Sequence, residues 1–96
     1  MIAIVYQWRL KPGLETQFEG AWSAITELLK QQGSLGSALF DGPDNSVFAI
    51  ARWPDLETRQ ASSARKADPE HYALMIDAIA EELQEHVITE KLNFWT

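Results

Sequence analysis

The sequence predicts an α+β, ferredoxin-like fold: a βαββαβ chain with a four-stranded antiparallel sheet and its helices on one face. Three observations carry that prediction. Residues 2 to 10, IAIVYQWRL, alternate with the period of a strand. From Leu14 to Leu29 the apolar residues recur at steps of three and four, the spacing of a helical stripe. Two more strand-like runs, a second helical pattern and a last strand-like run then complete the order strand, helix, strand, strand, helix, strand.

In the first strand Ile2, Ile4, Tyr6, Trp8 and Leu10 point one way, and Ala3, Val5, Gln7 and Arg9 the other. Neither set is the charged, small-polar face of a half-exposed strand. Lys11-Pro12-Gly13 breaks the alternation, and Leu14, Phe18, Trp22, Ile25, Leu28 and Leu29 then form a helical stripe, with Gly13 as N-cap and Gly33 as the left-handed stop. Residues 35–41 and 46–53 read as strands joined by the turn formers Gly42-Pro43-Asp44-Asn45. Asp55 caps a short helix through LETRQASSARK, and Asp68-Pro69 starts the main second helix, with Tyr72, Met75, Ile76, Ile79 and Leu83 on its buried stripe. His86 ends that helix as a C-terminal cap, and the last strand is residues 87–95.

At 96 residues the chain has room for one domain, residues 1–96. The net charge of -6, with 14 acidic against 8 basic residues, argues against nucleic acid as a partner. With no cysteine, disulfides, thiolate nucleophiles and zinc-thiolate sites are excluded. The apolar runs are too short to span a bilayer and Met1 leads straight into a strand, so a cytoplasmic, soluble chain is expected.

Two helices cover one side of a four-stranded sheet. On the third strand Val47, Ala49, Ala51 and Trp53 lie opposite Phe48, Ile50 and Arg52, and again neither face is polar. The pattern does not say which set faces the helices. It does predict that a second copy of the chain covers the free face as a homodimer, the alternative being a monomer whose sheet is an open ligand platform.

YQWRLKPGLETQFEGAW and FAIARWPDLETRQAS together resemble the first strand, turn and helix, and the third strand and short acidic helix, of the antibiotic biosynthesis monooxygenase-like (ABM) family of dimeric α/β-barrel proteins. The resemblance spans almost the whole chain. It implies two sheets packed face to face into a barrel, with a pocket in each subunit between sheet and helices. It also implies oxidation of electron-rich polycyclic phenols by molecular oxygen, without metal or flavin and so with no cofactor. A related branch degrades haem and needs an asparagine in the first strand, a tryptophan in the helix after the third strand, and a histidine further on. Those positions fall near Tyr6 or Gln7, at Ser62 and near His71. Only the histidine has a counterpart, which disfavours haem degradation.

His71 is the candidate catalytic base. It lies in the first turn of a helix, where the dipole acts against a charged imidazole and leaves the ring able to accept a phenol's proton. An exposed helix-start histidine is the competing account. The two histidines are fifteen positions apart with no ligand-like spacing, so no metal site is expected. Tyr6 and Gln7 are the candidate polar groups of the pocket, and Trp53 and Tyr72 are candidates to stack on a planar aromatic substrate. Arg9 and Arg52 should each meet a carboxylate, a ligand anion or solvent, with Arg52 a candidate substrate contact. Two functions follow: a cofactor-independent monooxygenase acting on a small aromatic phenol, or a non-enzymatic dimeric module that binds or senses a small molecule.

Overall fold

The computed structural model describes residues 1–95. The elements are β1 (Ile2–Leu10), α1 (Glu15–Gln31), β2 (Gly36–Asp41), β3 (Ser46–Trp53), α2 (Leu56–Ala61), α3 (Ala64–Ala67), α4 (Pro69–Asp77) and β4 (Ile79–Thr89). The strands form one antiparallel sheet in the order β2-β3-β1-β4, the ferredoxin-like arrangement that the sequence predicts.

Register settles which face is which. Ile2 pairs with Trp53, Ile4 with Ala51, Tyr6 with Ala49 and Trp8 with Val47, so these residues share one side. The helices cover that side. Trp8, Leu10, Val47 and Ala49 pack with Phe18, Ala21 and Ile25 of α1 and with Met75 of α4. Ile2, Ile4 and Trp53 close a second cluster at the other end of the strands. Phe18 and Ile4 are fully buried, and at roughly 1.5 to 3 kcal/mol for each side chain of this size such positions supply much of the driving force for folding.

The helix ends follow local chemistry. Asp55 accepts a hydrogen bond from the Thr58 N–H and Asp68 one from the His71 N–H, with Pro69 opening α4 where its missing N–H costs nothing. α1 begins one residue later than expected: Leu14 is its N-cap, and Gly13, at φ +89°, belongs to the preceding turn. Gly33, at φ +107°, stops α1 as predicted, and a Cβ there would lie 2.6 Å from the Thr58 methyl, so the close approach of α2 also demands glycine. Asp44 and Asn45 adopt left-handed φ values in the β2–β3 turn, a conformation their short polar side chains tolerate. The single short helix expected after Asp55 is two, because Ser62 and Ser63 are extended and the Ser63 hydroxyl starts α3 by accepting from Lys66 N–H.

The largest departure is β4. Ile79 and Leu83 are not on a helix stripe but in this strand, and His86 lies mid-strand opposite Val5 rather than capping a helix. Two irregularities explain the misreading. The pairing steps from Gln84 to Glu82 opposite Gln7 and Trp8, and from Glu81 to Ile79 opposite Arg9 and Leu10, so Leu83 and Ala80 are each one extra residue. With a bulge in each interval, Ile79, Glu82 and Glu85 all share the helix-covered side at a spacing of three, which in sequence looks helical. The strand also ends before the predicted 87–95 run does. Ile2 pairs with Thr89, and the Glu90 N–H donates to the Met1 carbonyl just beyond that last pair. Residues 90–95 continue without strand structure.

The other side of the sheet carries Ala3, Val5, Gln7 and Arg9 of β1, Phe48, Ile50 and Arg52 of β3, and Ala38 and Phe40 of β2. No helix among the described residues packs there, and Phe40 and Ile88 are about half exposed, at 50% and 49%. No helix among the described residues is long and apolar enough to cross a membrane.

Candidate functional site

Between the helix-covered face of the sheet and α1, α2 and α4 lies a cavity of about 480 Å³. The alternation of β1 aims Tyr6 and Trp8 into it, and their rings stack at 4.8 Å between centroids and 17° between planes. Trp8 in turn meets Phe18 edge-on at 5.6 Å, which ties this wall to the core. Trp53 closes the wall from β3, Trp22 comes from α1 and Tyr72 from α4. An aromatic-walled recess of this size suits a planar ligand of a few fused rings.

The polar groups come from unexpected places. Arg59 of α2 donates from Nη2 to the Tyr6 hydroxyl at 3.4 Å, the long end of hydrogen-bond range. Glu82 and Glu85 of β4 also line the cavity, because the Leu83 bulge brings both to the helix-covered side opposite Trp8 and Tyr6. Ser62 lines it as well, at the position where the haem-degrading pattern requires tryptophan. Sequence reasoning missed Arg59, Glu82 and Glu85. Arg59 falls within the short helix expected after Asp55, and Glu82 and Glu85 within the helix expected to run through Leu83 to His86, so neither expectation placed them at the cavity. The spacing of three between the glutamates is visible in the sequence, but it reads as helical until the register shift at Leu83 is known.

Of the residues singled out from sequence, Tyr6, Trp53 and Tyr72 meet at this cavity. Gln7 is on the reverse face, where it accepts from Gln84 Nε2 at 2.8 Å and donates to Ser46 Oγ at 3.3 Å. The Ser46 hydroxyl donates onward to the Pro43 carbonyl at 2.6 Å, so Gln7 belongs to a polar chain crossing three strands. Its burial therefore has a structural explanation. Arg52 is also on the reverse face, with Nη2 3.2 Å from Met1 Sδ and its guanidinium 5.6 Å from the centre of the Trp95 ring. It lines a separate groove of about 320 Å³ with Val5, Ile50 and Ile88. Arg9 meets the carboxylate expected of it, that of Glu81.

His71 is not among the residues that line the cavity. Its Nδ1 lies 2.7 Å from Asp68 Oδ2. The Asp68 carboxyl is held below its ordinary value, first by the His71 backbone N–H and then by the ring, so it is ionised near neutrality and can only accept. Nδ1 must then carry a proton, and Nε2 is the nitrogen left for other partners.

No family model matches the chain, and no curated protein matches it in sequence. Solved structures do match in shape. A Bordetella bronchiseptica protein bearing the antibiotic biosynthesis monooxygenase name superposes with a TM-score of 0.76 at 23% identity, over 95% of this chain and 97% of that one. SnoaB, a cofactor-independent oxygenase from Streptomyces nogalater, gives 0.81 at 17% identity, over 97% of this chain and 95% of its own. Rv0793 of Mycobacterium tuberculosis, whose name states no activity, gives 0.76 at 10% identity over 98% of both chains. From end to end, this chain has the fold of the antibiotic biosynthesis monooxygenases.

Proposed function

We propose that the protein is a cofactor-independent monooxygenase that oxidises a small, electron-rich phenolic substrate in the cavity between sheet and helices. The observation that carries this reading is the cavity itself, walled by Tyr6, Trp8, Trp53 and Tyr72 and set in a fold shared with a cofactor-independent oxygenase. For a hydroxyanthrone-like substrate the balance is simple. A ring CH2 becomes C=O, one atom of O2 enters the product, and the other leaves as water with the two displaced hydrogens. Substrate carbon supplies the electrons, once loss of the phenolic proton has made the ring a better donor. The chain's part is to bind, orient and favour the ionised substrate in a partly desolvated site.

Oxygen uptake with a panel of hydroxyquinones and hydroxyanthrones tests this, with anaerobic binding measured in parallel. Consumption of one O2 per carbonyl formed is expected. Binding with no uptake by any compound would leave a binding module in place of an enzyme. In this reading His71 acts on the leaving proton through Nε2, and its place outside the cavity lining requires a water to relay that proton. Unchanged turnover by His71→Ala removes it from the mechanism.

The same proposal includes a homodimer closed through the reverse face of the sheet. Its support is the apolar surface of Val5, Phe48, Ile50 and Ile88, which no helix among the described residues covers.

A further inference from the structure

Resting on the oxygenase reading, we infer that Arg59 and the Tyr6 hydroxyl together hold the ionised phenolic oxygen of the substrate, and that Glu82 and Glu85 restrict the site to polyhydroxylated aromatics without a ring carboxylate.

Direction of donation comes first. Arg59 donates to the Tyr6 oxygen, so the Tyr6 proton is directed elsewhere, and the stacking of Tyr6 on Trp8 fixes the ring that presents it. A guanidinium has five N–H donors, and only one is engaged by Tyr6. Arg59 forms no ion pair within 4.0 Å among the described residues, although the chain carries 14 acidic side chains. An N–H of Arg59 and the O–H of Tyr6 can therefore converge on one oxygen, and two donors, one of them charged, favour that oxygen as an anion. The phenol's proton leaves by the water relay to His71 described above, so neither donor has to accept it.

The opposite requirement is set by β4. Glu85 is the cross-strand partner of Tyr6 and Glu82 that of Trp8, and both side chains line the same cavity. Ionised carboxylates only accept, so they suit the hydrogen of a second ring hydroxyl and repel a ring carboxylate. The other titratable group at the cavity is Tyr72 of α4, while α1 contributes Trp22, Ile25, Thr26 and Leu29 and no charge. The anion-favouring effect of Arg59 thus works against two carboxylates, which gives their removal a predictable sign.

The test uses 1,2-dihydroxyanthraquinone, whose absorption reports its ionisation, and a carboxylated analogue of it. Both are already at the quinone level, so neither has the ring CH2 on which turnover depends. With the wild-type protein the phenolate band is expected about one pH unit lower than for the free dye, and the carboxylated analogue is expected to bind about tenfold more weakly. Arg59→Gln should abolish the shift and weaken dye binding about tenfold, with Tyr6→Phe producing a smaller loss of both. Glu82→Gln combined with Glu85→Gln should enlarge the shift and admit the carboxylated analogue. A dye that titrates on Arg59→Gln as on wild type overturns the proposal. Should Arg59→Gln not fold, wild-type behaviour of Tyr6→Phe overturns it equally. Wild-type preference for the carboxylated analogue does so as well. The expected dye pattern without oxygen uptake by any hydroxyanthrone would sink the oxygenase reading and leave this anchor standing, whereas uptake with no Arg59 dependence would do the reverse.

Discussion

The two faces of the sheet are built from the same strands and differ sharply in how they are completed. On the helix-covered face, Ile4 and Trp8 of β1 and Val47 of β3 are buried beneath the helices, and the cavity remains among their neighbours. On the reverse face, Val5 opposite Ile50 and Gln7 opposite Phe48 have comparable apolar content, but no helix to bury them. The first face is finished within the chain and leaves a recess for a ligand. The second has apolar surface that no helix among the described residues covers, with only the 92–95 segment lying against one end of it. Stability and assembly should therefore respond to substitutions on opposite sides of one strand.

The largest effect is expected on the covered face. Phe18→Ala removes a fully buried ring that touches Trp8 and should lower unfolding free energy by about 3 to 5 kcal/mol, measurable by urea titration. A loss under about 1 kcal/mol would mean that the core is not organised around α1 as described. Next comes Ile50→Glu on the reverse face, which should weaken self-association by about 2 kcal/mol, or roughly 30-fold, while disturbing the fold far less. Light scattering across protein concentration reads this directly. A wild-type mass of one subunit at micromolar concentration would remove the dimer from the account.

Gln7→Leu sharpens the comparison further. It replaces the middle of the Gln84–Gln7–Ser46 chain by an apolar side chain and should cost about 1 kcal/mol, because Ser46 is left buried with one partner fewer. The smallest effect belongs to Asp68→Asn, which keeps a cap on α4 but removes its charge. The Asp68 carboxyl is lowered in the folded state by the His71 N–H and ring, so the stability it confers is fully present above its ordinary value and lost as pH falls through the lowered one. The melting temperatures of wild type and Asp68→Asn should therefore converge as the solution is acidified from neutrality to below the ordinary carboxylate range. A gap that stays constant would show that the charge contributes nothing.

How much of this was legible in the residues depends on regularity. β1, β2 and β3 keep a period of two against partners of matching length, and the turn at Asp44-Asn45, the stop at Gly33 and the caps at Asp55 and Asp68 all rest on chemistry local to a few residues. Residues 79–95 were misread because Ala80 and Leu83 turn a strand's period into a helix's, and because the length of β4 follows its pairing with β1. Those are facts of pairing, invisible along one chain. The same bulges hid Glu82 and Glu85 from the cavity, while Tyr6, Trp53 and Tyr72 were found because large aromatic side chains are conspicuous wherever they point. Gln7 and Arg52 alternate with Tyr6 and Trp53 and so lie on the opposite face, which makes their grouping in one pocket incompatible with the strand period itself.

The bulges in β4 have one more consequence, for what happens at the rim of the sheet. β4 is an outermost strand, and a flat outermost strand with a continuous row of free N–H and C=O groups is a template for fibrillar growth. Here that row is broken at Ala80 and at Leu83 and lined by Glu81, Glu82 and Glu85, so an incoming strand would meet a kinked, negatively charged border. Edge-to-edge growth is thereby discouraged, which leaves the greasy broad side as the surface for the proposed pairing of two copies.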